Sequence, residues 1–245
     1  MEELELFKKR IDSLINKSYS GGVSLLNFLD EAKISILKSA SKNLKDINVY
    51  YDGGFINADT LRAIISPYEV IRDDFKIIIY KIKYNKKFYE ISHRSILGSL
   101  MGLGIKREFI GDIVLNDKGA FFACAKEISE YIKDNLKFVG KAPVELEKTD
   151  EIIENVINYS EKLDFLSSLR LDVFIASAYN LSRSEAHEYI VNGLVYINHI
   201  LILNPSEAVK LQDEISVRGK GRCKLKEIGG YSKSGRIAAT LAKRV

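Results

Sequence analysis

A chain of 245 residues, 46% hydrophobic and 29% charged, has the composition of a folded protein with one large domain or two to three small ones, which excludes an intrinsically disordered protein. Apolar runs such as Ile77-Ile78-Ile79 are too short to span a bilayer, and the start Met1-Glu2-Glu3-Leu4-Glu5 is acidic where a secretory signal is basic, so a cytoplasmic protein is expected. The net charge of +4 is unevenly placed: residues 170–245 hold 12 Lys/Arg against 7 Asp/Glu, residues 1–169 hold 25 against 26, and such asymmetry points to a polyanion-binding module in the last third.

In chain order, Leu4, Phe7, Ile11, Leu14 and Ile15 share one helical face. A Gly21-Gly22 break precedes a second predicted helix over Ser24–Lys42. Strands are predicted at Ile47–Tyr51, before Gly53-Gly54, and at Leu61–Ile65, before Pro67. Residues 1–70 therefore read as a small α/β domain.

Residues 71–150 read as a second domain. Phe75–Tyr84 is a β-branched strand, and Phe88–Ile91 is predicted to pair with it across Asn85-Lys86-Lys87. Ser92–Leu103 is a predicted helix with Ile96, Leu97, Leu100 and Leu103 at helical spacing. Ile113–Leu115 and Ala120–Ala125 are strands, Glu127–Leu136 a helix and Phe138–Leu146 a last strand. Without the extra hairpin strand this is βαββαβ, the ferredoxin-like or RRM-like order. An RRM stacks bases on aromatics of its central strands. Phe121 and Phe122 are candidates, but neighbours on a strand point to opposite faces, and core is the favoured reading for both.

A polar stretch leads into Val156–Leu169, read as a strand or linker within 151–169, and the third domain spans 170–245. Arg170–Tyr179 carries Leu171, Phe174, Ile175 and Ala178 on one helical stripe. Ser182 and Glu185 form a capping box at the start of a second helix, Leu181 and Ala186 can staple it, and Asn192-Gly193 ends it. A β-rich tail follows at Leu194–Ile197, Ala208–Leu211, Glu214 onward and Arg236–Lys243. The N-terminus of the second helix, with Arg183 as its first residue, can attract phosphate; a plain cap with a solvated Arg183 is the alternative. From Glu214 to Glu227 the residues alternate, with Arg218, Lys220, Arg222, Lys224 and Lys226 at even places. One continuous strand would line five cations on one face at about 6.6–6.8 Å, unless a bulge at Gly219 or Gly221 shifts the parity. Ser232-Lys233-Ser234-Gly235-Arg236 is either a plain turn or an extension of that cationic surface.

Cys124 and Cys223 lack ligands at finger spacing, and His93, His187 and His199 are scattered. Two reduced, semi-buried thiols and no metal or cofactor are expected.

Arg170-Leu171-Asp172 through Ile175-Ala176, Leu181-Ser182-Arg183-Ser184, Ile190 with Gly193, Val195 with Asn198, and Asp213 through Gly219 resemble the S4 RNA-binding domain. The resemblance implies RNA-facing positions at Arg170, Ser182, Arg183 and Ser184, with Arg218 at the basic end of a strand. Gln212 stands where many S4 domains have Gly. Asn27-Phe28-Leu29-Asp30, Gly53-Gly54-Phe55 and Ser92 through Arg107, continuing to Gly111-Asp112-Ile113, are similar to the bacterial YlmH family. Asp59-Thr60-Leu61-Arg62 and Glu31 depart from that pattern. The resemblance implies a non-catalytic factor on ribosomal RNA of the large subunit, in quality control of stalled subunits holding peptidyl-tRNA. The expected fold class is α+β: an N-terminal α/β domain, a ferredoxin-like middle domain and a C-terminal S4 domain. A monomer with rRNA, tRNA as a further candidate partner, and neither DNA nor membrane is expected.

The competing class is an RNA-modifying enzyme of pseudouridine synthase or methyltransferase type. Gly98, Gly102 and Gly104 fall in or after an apolar helix and read as close-packing positions, not as a cofactor loop. Arg170-Leu171-Asp172 has the letters of a synthase motif but opens the S4 helix. His93 and Arg94 have three readings: packing at a helix start, which is favoured, a second RNA contact together with Lys106 and Arg107, or a catalytic pair.

Overall fold

A computed structural model describes residues 2–155 and 158–244. The first apolar stripe forms α1 (Glu2–Tyr19), which buries Phe7, Ile11 and Ile15. It is followed by β1 (Ser24–Leu29), α2 (Glu31–Ser41), β2 (Asn48–Asp52) and β3 (Leu61–Ser66). The strands form an antiparallel sheet in the order β1-β3-β2. A single helix over Ser24–Lys42 is thus corrected. Leu25–Leu29 pairs with β3, and Asp30 starts a new helix by accepting the Lys33 N–H at 2.9 Å. A bulge lies between Leu26 and Leu29. Those two leucines join the core under α1 and α2, while Phe28 joins a different one.

Next come β4 (Ile77–Lys83), α3 (His93–Gly102), β5 (Ile110–Asn116), β6 (Gly119–Ala125), α4 (Lys126–Asn135), β7 (Phe138–Val139), β8 (Ala142–Pro143) and β9 (Glu145–Lys148). Sheet order β5-β6-β4-β9, antiparallel throughout, is the ferredoxin-like arrangement. Two expectations change. Phe88–Ile91 is not a strand; of these residues only Ile91 enters the core. The last strand is interrupted, because the chain folds into the β7–β8 hairpin around Gly140 (φ 59°) before β9 begins.

The two faces of this sheet are both covered. Tyr80, Ile82, Phe122 and Cys124 pack with Ile96 and Leu100 of α3 and Ile132 of α4. Ile79, Val114, Phe121 and Ala123 on the other face pack with Phe28, Phe55 and Ile153. Phe121 and Phe122 are both fully buried, so neither offers a stacking surface. The glycines of the early motifs permit this closure: a Cβ on Gly111 would lie 2.6 Å from the Phe28 ring, and one on Gly54 2.9 Å from Ile77. A Cβ on Gly98, Gly102 or Gly104 would meet nothing within 4 Å, so these are not close-packing positions. Arg62, 1% exposed, fastens the same junction. It donates to the Leu26 and Lys76 carbonyls, both at 3.1 Å, and to Glu127 at 3.0 and 3.2 Å.

The chain divides into two compact units, residues 1–156 and 157–245. The second contains β10 (Tyr159–Leu166), α5 (Leu171–Tyr179), α6 (Arg183–Val191), β11 (Val195–Ile197), β12 (Ile200–Leu201), β13 (Glu214–Val217), β14 (Gly221–Tyr231) and β15 (Ile237–Arg244). Its sheet runs β10-β15-β14-β13-β11-β12. Of the Val156–Leu169 segment, residues 156 and 157 lie outside the described residues; Tyr159–Leu166 pairs with β15 along its length. Ala208–Leu211 forms no strand, only a bridge from Ala208 to Arg170. Leu171, Phe174, Ile175, Ala186 and Ile190 of α5 and α6 pack on Ile215, Val217, Cys223, Leu225 and Leu241 of the sheet. Full burial of a side chain such as Phe174 contributes about 1.5–3 kcal/mol. No described helix is long and apolar enough to cross a membrane.

Candidate RNA interface

The corner between α5 and α6 is set by local chemistry. Asn180, in the left-handed region at φ 52°, ends α5. Ser182 then starts α6: its hydroxyl accepts the Glu185 N–H at 3.2 Å, and the Glu185 carboxylate accepts the Ser182 N–H at 2.7 Å. Hydrogen bonds from the Ser182 hydroxyl and backbone hold the Glu185 carboxyl below its usual range. The helix N-terminus therefore already faces an anion of its own. Arg183 and Ser184 beside it are exposed.

Arg183 is held by Asp172, the second residue of α5. The Asp172 side chain is only 4% exposed. It accepts Arg170 through both oxygens, Nε to Oδ1 and Nη2 to Oδ2, each at 3.0 Å. Its Oδ2 also accepts Arg183 Nε at 3.0 Å. Burial alone would raise the Asp172 carboxyl; the two guanidiniums outweigh it and hold the group below its usual range. Both arginines keep outward surface, 37% for Arg170 and 62% for Arg183. One buried carboxylate thus presents two guanidiniums in fixed orientation, each with N–H groups left for a phosphate.

The third contribution comes from the turn between β13 and β14. The alternation from Glu214 to Glu227 is not one strand. Gly219 (φ 80°) and Gly221 (φ 92°) take conformations that side-chain residues avoid, and Arg218-Gly219-Lys220 reverses the chain so that Ser216 pairs with Arg222. Arg218 lies in this turn, exposed, with its N–H donating to the Leu194 carbonyl at 2.9 Å. Lys220 reaches back to α6, its Nζ 5.9 Å from the centre of the Tyr189 ring.

The five-cation row is corrected accordingly. Cys223 and Leu225 point into the core under α5 and α6, so Arg222, Lys224 and Lys226 point to the opposite face of the sheet. Neighbouring strands supply acids there: Arg222 pairs with Glu214 at 3.2 Å and Lys226 with Glu161 at 2.5 Å. The nine predicted positions of this unit separate into a helix-side group (Arg170, Ser182, Arg183, Ser184, Lys220, with Arg218 in the same turn) and a partly neutralised back-face group. The sequence reading missed Asp172 as the organiser and Tyr189 beneath Lys220. Arginine two residues before a buried aspartate, with a second arginine one corner later, was the available signal.

In the first unit, Ser92 caps α3 by accepting the Ser95 N–H at 3.2 Å, leaving His93 and Arg94 exposed in its first turn. Lys106 is exposed. Arg107 is bound to its own turn, donating to the Ile110 and Gly111 carbonyls, and burial lowers its pKa. A cleft of about 640 Å³ is lined by Asp52, Arg72, Lys76, Lys126, Lys148 and Asp150 among others, with no His or Cys in its wall.

Residues 71–152 match the family model described as "Putative RNA-binding domain in YlmH", and residues 169–215 match the S4 domain. The chain is 34% identical over 226 residues to "Ribosome-associated protein quality control protein P2" of Bacillus subtilis (strain 168), covering 91% of this chain and 88% of that protein. The chain belongs to the YlmH family. A solved YlmH structure, "Cell division protein ylmH from Streptococcus pneumoniae", superposes with a TM-score of 0.51 at 27% identity, covering 61% of this chain and 92% of that one. Arg170, Ser182, Arg183 and Ser184 of this YlmH-family chain lie within its S4 domain match, Arg218 and Lys220 follow just after it, and α3 lies within the YlmH model match.

Proposed function

We propose that this YlmH-family protein is a non-catalytic, cytoplasmic, monomeric RNA-binding factor that docks on the large ribosomal subunit through its S4 domain and acts in quality control of stalled subunits carrying peptidyl-tRNA. The observation that carries the reading is the Asp172 clamp, which orients Arg170 and Arg183, with Ser184 next to Arg183 and Lys220 over Tyr189 of the same helix α6. Fixed guanidiniums suit structured RNA, where phosphate positions are set by the fold of the RNA. Similarity to a relative whose name places it in ribosome-associated quality control supports the cellular role. Ribosomal RNA is the principal partner, tRNA a second one, and duplex DNA is not bound specifically. The layout with this role is an N-terminal domain at 1–70, a middle domain at 71–150 and an S4 domain at 170–245.

Binding to purified ribosomal subunits and to duplex DNA across a salt series tests this. The expected result is preference for the large subunit and a steep salt slope that flattens in Arg183→Ala and Lys220→Ala. Arg222→Ala and Lys226→Ala, on the partly neutralised face, should change the slope less. Equal, salt-insensitive binding to all targets would sink the reading. Turnover of a labelled methyl donor, or loss of uridine reactivity in bound RNA, would overturn its non-catalytic part.

A further inference from the structure

The ferredoxin-like half of unit 1 has no open sheet face. The strands on which an RRM would stack bases are covered by Phe28, Phe55 and Ile153. Exposed aromatics occur instead on the helical side. Phe88 is 77% exposed in the loop between β4 and α3, and Phe138 is 57% exposed at the start of the β7–β8 hairpin. Isolated exposed aromatics are common. These two share a setting. Each follows lysine directly, Lys86-Lys87-Phe88 in one segment and Lys137-Phe138 with Lys141 in the other.

Both segments flank α3. Ile91 anchors the loop in the core beside Ile96 and Leu100, and the hairpin sits on the helix through the Gly140 N–H, which donates to the Ser99 hydroxyl at 3.2 Å. Arg94 is exposed in the first turn of α3. The charges are unbalanced. Elsewhere on this half, Lys83 pairs with Glu147 and Lys148 with Glu130. Among the described residues no ion pair involves Lys86, Lys87, Lys137 or Lys141, and Glu90 is the single acid in residues 85–92 and 137–143.

We infer that this surface is a second RNA contact, one that takes single-stranded RNA by stacking unpaired bases on Phe88 and Phe138 while the lysines and Arg94 hold its phosphates. Aromatic faces interleaved with unpaired cations are the chemistry of sequence-tolerant single-strand binding. A duplex hides its base faces and would leave both phenylalanines without a partner. The inference rests on the reading of the chain as an RNA binder but uses none of the S4 residues.

The test uses the full chain carrying Arg183→Ala and Lys220→Ala, so that the S4 cluster is weakened, with a short fluorescein-labelled oligouridylate as probe. Phe88→Ala and Phe138→Ala should each weaken binding roughly tenfold. Both side chains are exposed, so the thermal midpoint should not move. Lys137→Ala should flatten the salt dependence by about 0.7 in log–log slope. Ultraviolet crosslinks from a 4-thiouridine version of the probe should fall in peptides containing Phe88 or Phe138. Unchanged affinity in both phenylalanine variants, or crosslinks confined to residues 170–245, would overturn this contact while leaving the S4 reading intact. Tighter binding of duplex RNA, or of an oligoglutamate peptide, than of the oligouridylate would also overturn it, the latter by pointing to an acidic protein.

Discussion

Arg183 on α6 is held by Asp172 on α5, Nε to Oδ2 at 3.0 Å, across a corner of eleven residues in sequence. The same carboxylate grips Arg170 at the start of its own helix. The aspartate never needs to touch RNA; it fixes where two guanidiniums point. Asp172→Asn should therefore lower RNA affinity more than Arg170→Ala or Arg183→Ala alone. It also removes charge-assisted hydrogen bonds worth about 1.5–3 kcal/mol. Binding isotherms on large subunits, compared with thermal melts of the three variants, check both parts. An Asp172→Asn protein that binds as tightly as the wild type would show that the clamp is only structural.

Acid titration should find two unusual aspartates in the second unit. Asp172 is held below its ordinary value of 3.8: burial raises it, but the Arg170 and Arg183 guanidiniums pull it down further. Asp164 is pulled to about 2 by the Lys162 ammonium and then by the Ser177 hydroxyl. Both pKa values are depressed in the folded state. The stability they contribute is complete above the ordinary aspartate value and is lost as pH falls through the lower folded value. Carboxyl-carbon NMR should show neither signal titrating at pH 3.8. Above that pH the two groups should contribute no pH dependence to stability.

Arg62 should matter far more for folding than its place in a three-stranded sheet suggests. Its guanidinium satisfies two backbone carbonyls from different elements and the Glu127 carboxylate. Arg62→Met would leave the Leu26 and Lys76 carbonyls without that donor and cost about 3 kcal/mol. Arg62→Lys should not rescue it, because an ammonium cannot span the same fork of acceptors. Urea denaturation followed by circular dichroism gives the comparison.

Gly98 offers the opposite sign. It sits inside α3, and a Cβ there would meet open space. Gly98→Ala should stabilise the protein by about 1 kcal/mol through helix propensity. A lower urea midpoint would contradict the open surroundings described for this residue.

Elements with a local cause were legible in the sequence. The α6 start could be read from Ser182 and Glu185 alone, because a capping box is complete within four residues. The βαββαβ order was likewise readable from the change between period two and period 3.6. Where the decision is not local, the reading failed. Ser24–Leu29 is a short apolar run that suits strand and helix alike, and pairing with β3 decides it. The Arg218–Lys226 alternation runs unbroken through a hairpin turn, so the letters looked like one strand. The acids that neutralise its even face, Glu214 and Glu161, come from strands that only the folded sheet brings alongside. Gly98 and Gly102 look like packing glycines in any apolar helix; what surrounds them is a tertiary fact.

The two cysteines are fully buried, Cys124 in the core of the ferredoxin-like half and Cys223 under α5 and α6. Burial pushes both thiols up to about 12. A thiolate-directed reagent can reach either one only after its surroundings open. The native chain therefore carries one intrinsic reporter in each unit. Mass-resolved alkylation over time would give the opening rate of each half separately, with no introduced label, and would show which half yields first when RNA is withheld.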